Sequence, residues 1–167
     1  MKIFPVIVGA FEVNCYLAWA EGSSEALVVD PGDDAGPIQN ELKKRGLSPA
    51  AYLITHGHAD HISGLHEMEA RLPAPVFISA QDAEWAFSEI NQIPPYYSTP
   101  QKSRSINLLQ SDEQIIAAAG LSCKAIATPG HSPGGVCFYF QKEGILFAGD
   151  TLFQNSVGRT DLPGGDP

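Results

Sequence analysis

Residues 51–61 read AYLITHGHADH. Four apolar residues, Ala51-Tyr52-Leu53-Ile54, run without a polar break into three histidines and an aspartate. A short unbroken apolar run is the pattern of a strand buried on both faces. The chain has five histidines, and His56, His58 and His61 fall in this one window. In extended backbone, residues two apart point to the same side. His56 and His58 can therefore reach one cation, at the ~2.0–2.1 Å of an imidazole–zinc bond. Asp60 and His61 are adjacent and would diverge on a regular strand. At a turn leading into a helix, both can reach a second cation displaced from the first. Two plainer alternatives are a solvated turn of neutral histidines and a closed structural zinc site. The i, i+2 phasing with a carboxylate argues against the first. The second is usually rich in cysteine, which this window lacks.

Working outward, residues 2–8, 12–19 and 25–30 read as short strands, with a turn at Glu21-Gly22-Ser23-Ser24. Asp30-Pro31-Gly32 ends the third strand. Pro37 starts a helix through Lys44, stopped by Gly46. A helix over 63–71, a strand over 75–79 and a helix over 81–90 follow. Residues 91–105 carry Pro94-Pro95-Tyr96-Tyr97 and Pro100 without periodicity, which predicts a long surface loop. Strands are expected at 115–118, 121–128, 135–141 and 144–148. Strands alternate with helices early and hairpins dominate late, the pattern of two sheets covered by helices in a single domain over 1–167.

His131 follows the strand at 121–128, and Asp150 follows the apolar Ile145-Leu146-Phe147-Ala148. Sites gather where strands end and their loops converge. Thr128-Pro129-Gly130-His131 also echoes Thr55-His56-Gly57-His58. His131 and Asp150 are therefore candidate ligands from outside the cluster. The plain alternative for Asp150 is a turn-former after Gly149. His66 lies on a predicted helix without ligand spacing and reads as an ordinary surface residue.

A chain of 167 residues suits one domain burying about 70% of its unfolded surface. The formal charge of −9 excludes a broadly basic nucleic-acid surface. It also repels anionic substrates unless a bound cation or a local Arg or Lys inverts the field. No apolar run reaches the ~20 residues of a membrane helix. The N-terminal stretch lacks the pattern of a signal peptide, so the cytoplasm is the expected compartment. Cys15, Cys123 and Cys137 are odd in number and widely spaced. They read as reduced, buried, small apolar residues.

Asp30-Pro31-Gly32, the T-H-G-H-A-D-H run at 55–61, Thr128-Pro129-Gly130-His131-Ser132-Pro133-Gly134 and Gly149-Asp150-Thr151-Leu152-Phe153 together resemble the metallo-β-lactamase superfamily. The match runs in order along nearly the whole chain. The resemblance implies an α+β fold, a four-layered αββα sandwich with a dinuclear site at one edge. Glu12-Val13-Asn14-Cys15-Tyr16-Leu17 and the segment Ser156 to Asp166 carry a narrower similarity to short bacterial type II glyoxalase-like hydrolases. By that resemblance His56, His58 and His131 hold one metal. Asp60, His61 and Asp150 hold the other, with Asp150 bridging. The metal is zinc, two per chain, with iron or manganese as alternatives. Cysteine usually stands at the Asp150 position in true β-lactamases, which turns the similarity away from antibiotic hydrolysis. The family also places a further histidine ligand on the second metal, and no histidine follows His131. The expectation is a domain incomplete at its C-terminus, with its second metal short of one ligand.

The activity implied is hydrolysis of a small-molecule thioester such as S-lactoylglutathione. The metals lower the pKa of the attacking water, and Asp60 orients it. Arg159 is the expected contact for an anionic substrate, with Lys102 and Arg104 next. A mononuclear iron persulfide dioxygenase, a lactonase and an inactive metal-binding fragment are the rivals. The oligomeric state is not legible.

Overall fold

The structure is a computed structural model and describes residues 1–162 and 164–166. Pro163, part of the narrower motif, and Pro167 lie outside the described residues. A six-stranded sheet has the order β1 (Lys2–Val8), β2 (Val13–Trp19), β3 (Glu25–Val29), β4 (Ser48–Leu53), β5 (Val76–Ser79) and β6 (Ile106–Leu109). The first three strands pair antiparallel, and β3 to β6 run parallel. A second, antiparallel sheet has the order β10 (Ile145–Phe147), β9 (Val136–Phe140), β8 (Leu121–Ala127) and β7 (Gln114–Ala118). A small ribbon of β11 (Leu152–Phe153) and β12 (Ser156–Val157) follows.

The apolar run at 51–54 shows why the sheets stack. Tyr52 and Ile54 pack on the helix side with Ile38 and Leu42 of α1 (Ala35–Arg45) and Leu65 and Met68 of α3 (Leu65–Arg71). Ala51 and Leu53 point the other way, between the sheets, with Phe138, Phe140 and Phe147. One strand thus serves two cores, as an unbroken apolar strand must. The two stacked sheets are those that the resemblance implies. Among the described residues the helices cover the first sheet only, and the outer face of the second leaves Ile115 and Leu146 exposed. Among the described residues, no helix is long and apolar enough to cross a membrane. All three cysteines are free and buried.

Helix 81–90 is not continuous. It is cut to α4 (Ala80–Ala83), a run of turns, and a 3-10 helix at Glu89–Asn91. Loop 91–105 is not wholly superficial, since Tyr97 and Ser103 are buried. Residues 106–109 form the unforeseen edge strand β6, whose half-exposed pattern carries little signal. The short helix α2 (Ala59–Ile62) begins inside the histidine cluster, as the turn-into-helix reading requires.

Phe138 has no solvent exposure and lies between the sheets. Phe138→Ala is expected to cost about 3–5 kcal/mol. The check is a lower denaturant midpoint at unchanged slope.

Candidate metal centre

The parallel strands β3 and β4 end side by side, and their loops place the first groups. Asp30 follows β3 with a left-handed backbone, φ 49°. Its Oδ1 accepts from the Thr55 amide at 2.8 Å and its Oδ2 from the Thr55 hydroxyl at 2.7 Å. Oδ2 also lies 3.1 Å from Nδ1 of His61. Asp30 thereby fixes the end of β4 and turns His61 so that Nε2 faces inward. The Thr55 hydroxyl sits 3.1 Å from Nδ1 of His56 and fixes that ring too.

The second sheet supplies the opposite wall. The amide of Val136 donates to the Thr55 carbonyl at 2.8 Å, joining the start of β9 to the end of β4. His131 Nε2 stands 3.0 Å from His58 Nδ1, and His131 Nδ1 stands 2.8 Å from the Arg159 carbonyl. Asp150 reaches His61 Nε2 at 3.3 Å and His131 Nε2 at 3.6 Å. Two glycines make room for this. A Cβ on Gly149, at φ +49°, would lie 2.2 Å from the Thr55 hydroxyl. A Cβ on Gly158 would lie 1.8 Å from the Asp150 carbonyl. Gly158 and Arg159 therefore lie closely against His131 and Asp150.

Two donor groups result. His56, His58 and His131 form one, and His56, His61 and Asp150 the other, with donor atoms within 4.8 Å of one another in each. Asp60 stands beside the second group, its Oδ2 3.8 Å from His61 Nε2. Five of the six residues of the expected ligand set, all but Asp60, thus share one centre, and Asp60 flanks it. His66 lies apart, with Nδ1 3.3 Å from the Lys102 carbonyl.

The residues fit a cation. Nε2 of His56 is buried and has no hydrogen-bond partner, a costly state for a polar atom unless something occupies its lone pair. Burial, aided by the neighbouring histidines, holds His56 well below the ordinary imidazole range and His58 at about 4. Both are neutral at physiological pH, as ligands must be. Burial also pulls His61 down, but hydrogen bonds to Asp150 and Asp30 outweigh it and lift His61 to about 10. Burial pushes Asp150 up, yet the His61 hydrogen bond and the nearby imidazoles hold it below the ordinary carboxylate range. Burial raises Asp60.

A residue the sequence did not single out holds the centre together. Asp82, on α4, is fully buried. Its Oδ2 accepts from the Gly57 amide and the Ser132 hydroxyl, both at 2.8 Å, and its Oδ1 from the Gly134 amide at 2.7 Å. Asn91 acts alongside it. Its amide donates to the Gly57 carbonyl at 2.7 Å and its oxygen accepts from the Ala59 amide at 3.0 Å. The only sequence signal was S-A-Q-D at 79–82, a helix-capping pattern, and Ser79 does accept from the Asp82 amide at 3.1 Å.

A cleft of about 710 Å³ opens over His58, Asp60, His131 and Asp150. A second, of about 840 Å³, reaches Asp30, Asp60, His61 and Asp150 from the side where β1, β2 and β10 meet. Arg159 lines the first cleft, but its guanidinium donates to both carboxylate oxygens of Asp161, at 2.7 and 2.9 Å. Arg104 lies elsewhere, beside Glu69.

A family model for the metallo-beta-lactamase superfamily matches residues 8–167. "Probable metallo-hydrolase YqgX" of Bacillus subtilis (strain 168) is 31% identical over 167 residues, covering 99% of this chain and 78% of that protein. "Hydroxyacylglutathione hydrolase GloC" of Haemophilus influenzae is 27% identical over 168 residues, covering 99% and 79%. Among solved structures, that of BLEG-1 B3 metallo-beta-lactamase superposes with a TM-score of 0.90 at 33% identity, covering 99% of this chain and 79% of that one.

Asp82→Ala would strip three buried donors, on Gly57, Ser132 and Gly134, of their acceptor. The expected loss is about 3 kcal/mol or more at ~1–3 kcal/mol per orphaned group. Denaturant unfolding measures it. A change under about 1 kcal/mol would mean that the clamp is dispensable.

Proposed function

The chain belongs to the metallo-beta-lactamase superfamily and is a metallo-hydrolase by that membership; from this premise we propose that it hydrolyses thioesters, in the manner of a hydroxyacylglutathione hydrolase. The observation that carries the reading is the pair of donor groups sharing His56, set on the floor of a ligand-sized cleft with Asp60 beside them. The 27% identical relative named for that reaction supports it. We assign the first metal to His56, His58 and His131 and the second to His61 and Asp150, with Asp60 at its side. The nitrogen-rich first group suits zinc, and iron or manganese fits the mixed nitrogen and oxygen set. A small-molecule thioester is the proposed partner.

A metal bound there supplies Lewis acidity and lowers the pKa of water towards ~7. The chain's own residues do the rest. His56 and His58, held neutral, offer their lone pairs, and Asp30 and Thr55 fix the ring planes. Asp60 faces both clefts. There it orients the attacking water and accepts its proton. The water oxygen bonds to the carbonyl carbon, the C–S bond breaks, and the thiolate leaves with both electrons. A thiol pKa near ~8.5 means that the leaving group needs little acid assistance.

The likeness to the BLEG-1 structure favours one second reading, β-lactam hydrolysis. An assay of the metal-loaded protein separates the two. It follows thiol release from S-lactoylglutathione and from a neutral thioester, and ring opening of a chromogenic cephalosporin. Metal-dependent thiol release supports the proposal. Ring opening without thiol release replaces it.

Two outcomes follow for variants. The double variant His56→Ala/His58→Ala is expected to lose its metal, measured by elemental analysis after dialysis; full retention sinks the ligand assignment. Asp60→Ala is expected to cut turnover by about 10²-fold or more, the usual scale of a lost acid–base group, with an unchanged circular dichroism spectrum. Wild-type rates on every thioester tested would remove Asp60 from the mechanism.

A further inference from the structure

The walls of the cleft over the centre differ from its floor. They are made by Phe11, Trp85, Ile90, Ile93, Pro133 and Leu162. Ile90 is 68% exposed and Phe11 45%, so these side chains are left facing open space at the mouth of a functional cleft. Exposed apolar residues gathered in this way mark a binding surface. The Trp85 ring lies 5.3 Å from that of His58, so the apolar wall extends down to the donor atoms.

Away from the cations proposed on its floor, the cleft offers little to an anion. Among the described residues, neither cleft at the centre is lined by a lysine, and Arg159 is the single arginine. Its guanidinium is already bonded to both oxygens of Asp161. Arg159 holds the Asp161 carboxyl down at about 2, so that pair stays charged and self-cancelling at any physiological pH. A substrate carboxylate would have to displace a tethered carboxylate, whose effective concentration is in the millimolar range or above for so short a link. The chain's net charge of −9 adds a repulsive field around the entrance.

We propose that the cleft selects thioesters with an uncharged, apolar arm of several carbons, and that Asp161, by occupying Arg159, is the residue that sets this choice against anionic thioesters. This rests on the thioesterase reading and narrows its substrate class, so that the likeness to hydroxyacylglutathione hydrolases is one of reaction and not of the thiol carrier. The apolar wall supplies affinity in proportion to the hydrocarbon it covers. The neutralised Arg159 withholds the charge contact that a glutathione moiety would use.

The test separates binding from turnover. Calorimetry on the metal-loaded protein compares three thioethers that cannot be hydrolysed: S-methyl- and S-hexyl-N-acetylcysteamine, and S-hexylglutathione. Five added methylenes are expected to tighten binding at least about tenfold. The neutral hexyl compound is expected to bind severalfold more tightly than its glutathione counterpart. Asp161→Asn is expected to shift the glutathione-to-neutral affinity ratio upward severalfold at low ionic strength, and less at high salt. Equal binding of the methyl and hexyl compounds overturns the proposal. So does tighter binding of S-hexylglutathione by the unmodified protein, or a ratio that Asp161→Asn leaves unmoved. Hydrolysis of the matching thioesters is measured on the same samples. Failure there with the expected binding order rejects the thioesterase reading and leaves the selection intact.

Discussion

Asp82 and its three donors are the contact on which the centre depends. His58 and His131 are 73 residues apart and come from loops belonging to different sheets. Their nitrogens nevertheless meet at 3.0 Å. With one oxygen Asp82 takes both Gly57, next to His58, and Ser132, next to His131, and with the other it takes Gly134, three residues beyond His131. The carboxylate is fully buried and bonded to neutral donors. That arrangement is tolerable only because both oxygens are saturated. Gly134 is required by the same closeness, since a Cβ there would lie 2.0 Å from the Ser79 hydroxyl. The sheets supply the cores, and this one side chain fixes how their loops face each other.

The centre is costly for the fold in itself. His56 keeps a buried nitrogen without a partner, and three imidazole rings crowd within 4.8 Å of its centroid. Asp30 holds a left-handed backbone that a non-glycine residue adopts at a cost. Such features persist where the surroundings over-determine them, and here Thr55 and His61 both do so. The two donor groups also differ in their starting state. His56 and His58 are neutral by burial, whereas His61 is protonated and paired with Asp30 and Asp150. In the proposed site, a cation at His61 Nε2 would displace that proton and meet the Asp150 carboxylate, while Asp30 keeps its bond to Nδ1. A cation at the three-histidine group displaces none from His56 or His58. Ligand binding to the folded state alone stabilises it, so a metal bound there would stabilise the fold that prepares its site.

Much of this was legible in the sequence, for a physical reason. The apolar run before the cluster fixed β4 as a central strand, and i, i+2 phasing put His56 and His58 on one side. His131 and Asp150 could be placed because each follows an apolar strand. What sequence reading missed depends on partners far away in the chain. Asp82 and Asn91 fell in a stretch read as one helix running into a surface loop. Their side chains act only through Gly57, Ala59, Ser132 and Gly134. Nothing local distinguishes a buried clamp from a capping aspartate. Strand β6 and the β11–β12 ribbon escaped because two to four half-exposed residues carry no clear alternation.

Arg159 shows the limit of reading a charge from its identity. By sequence it was the natural hook for an anionic substrate in an acidic protein. Asp161, two residues on, was in plain view, but only the folded backbone shows that it closes on the guanidinium with both oxygens. The pair is exposed, 63% and 70% for the two side chains, and exposed pairs contribute little to stability. Its consequence is local charge rather than fold. The Arg159 carbonyl meanwhile accepts from Nδ1–H of His131, so the backbone of this residue serves the centre while its side chain is paired at the rim. A positive charge left free there would have drawn anions to the mouth of the cleft. With it paired to Asp161, the apolar walls are the proposed basis of selection.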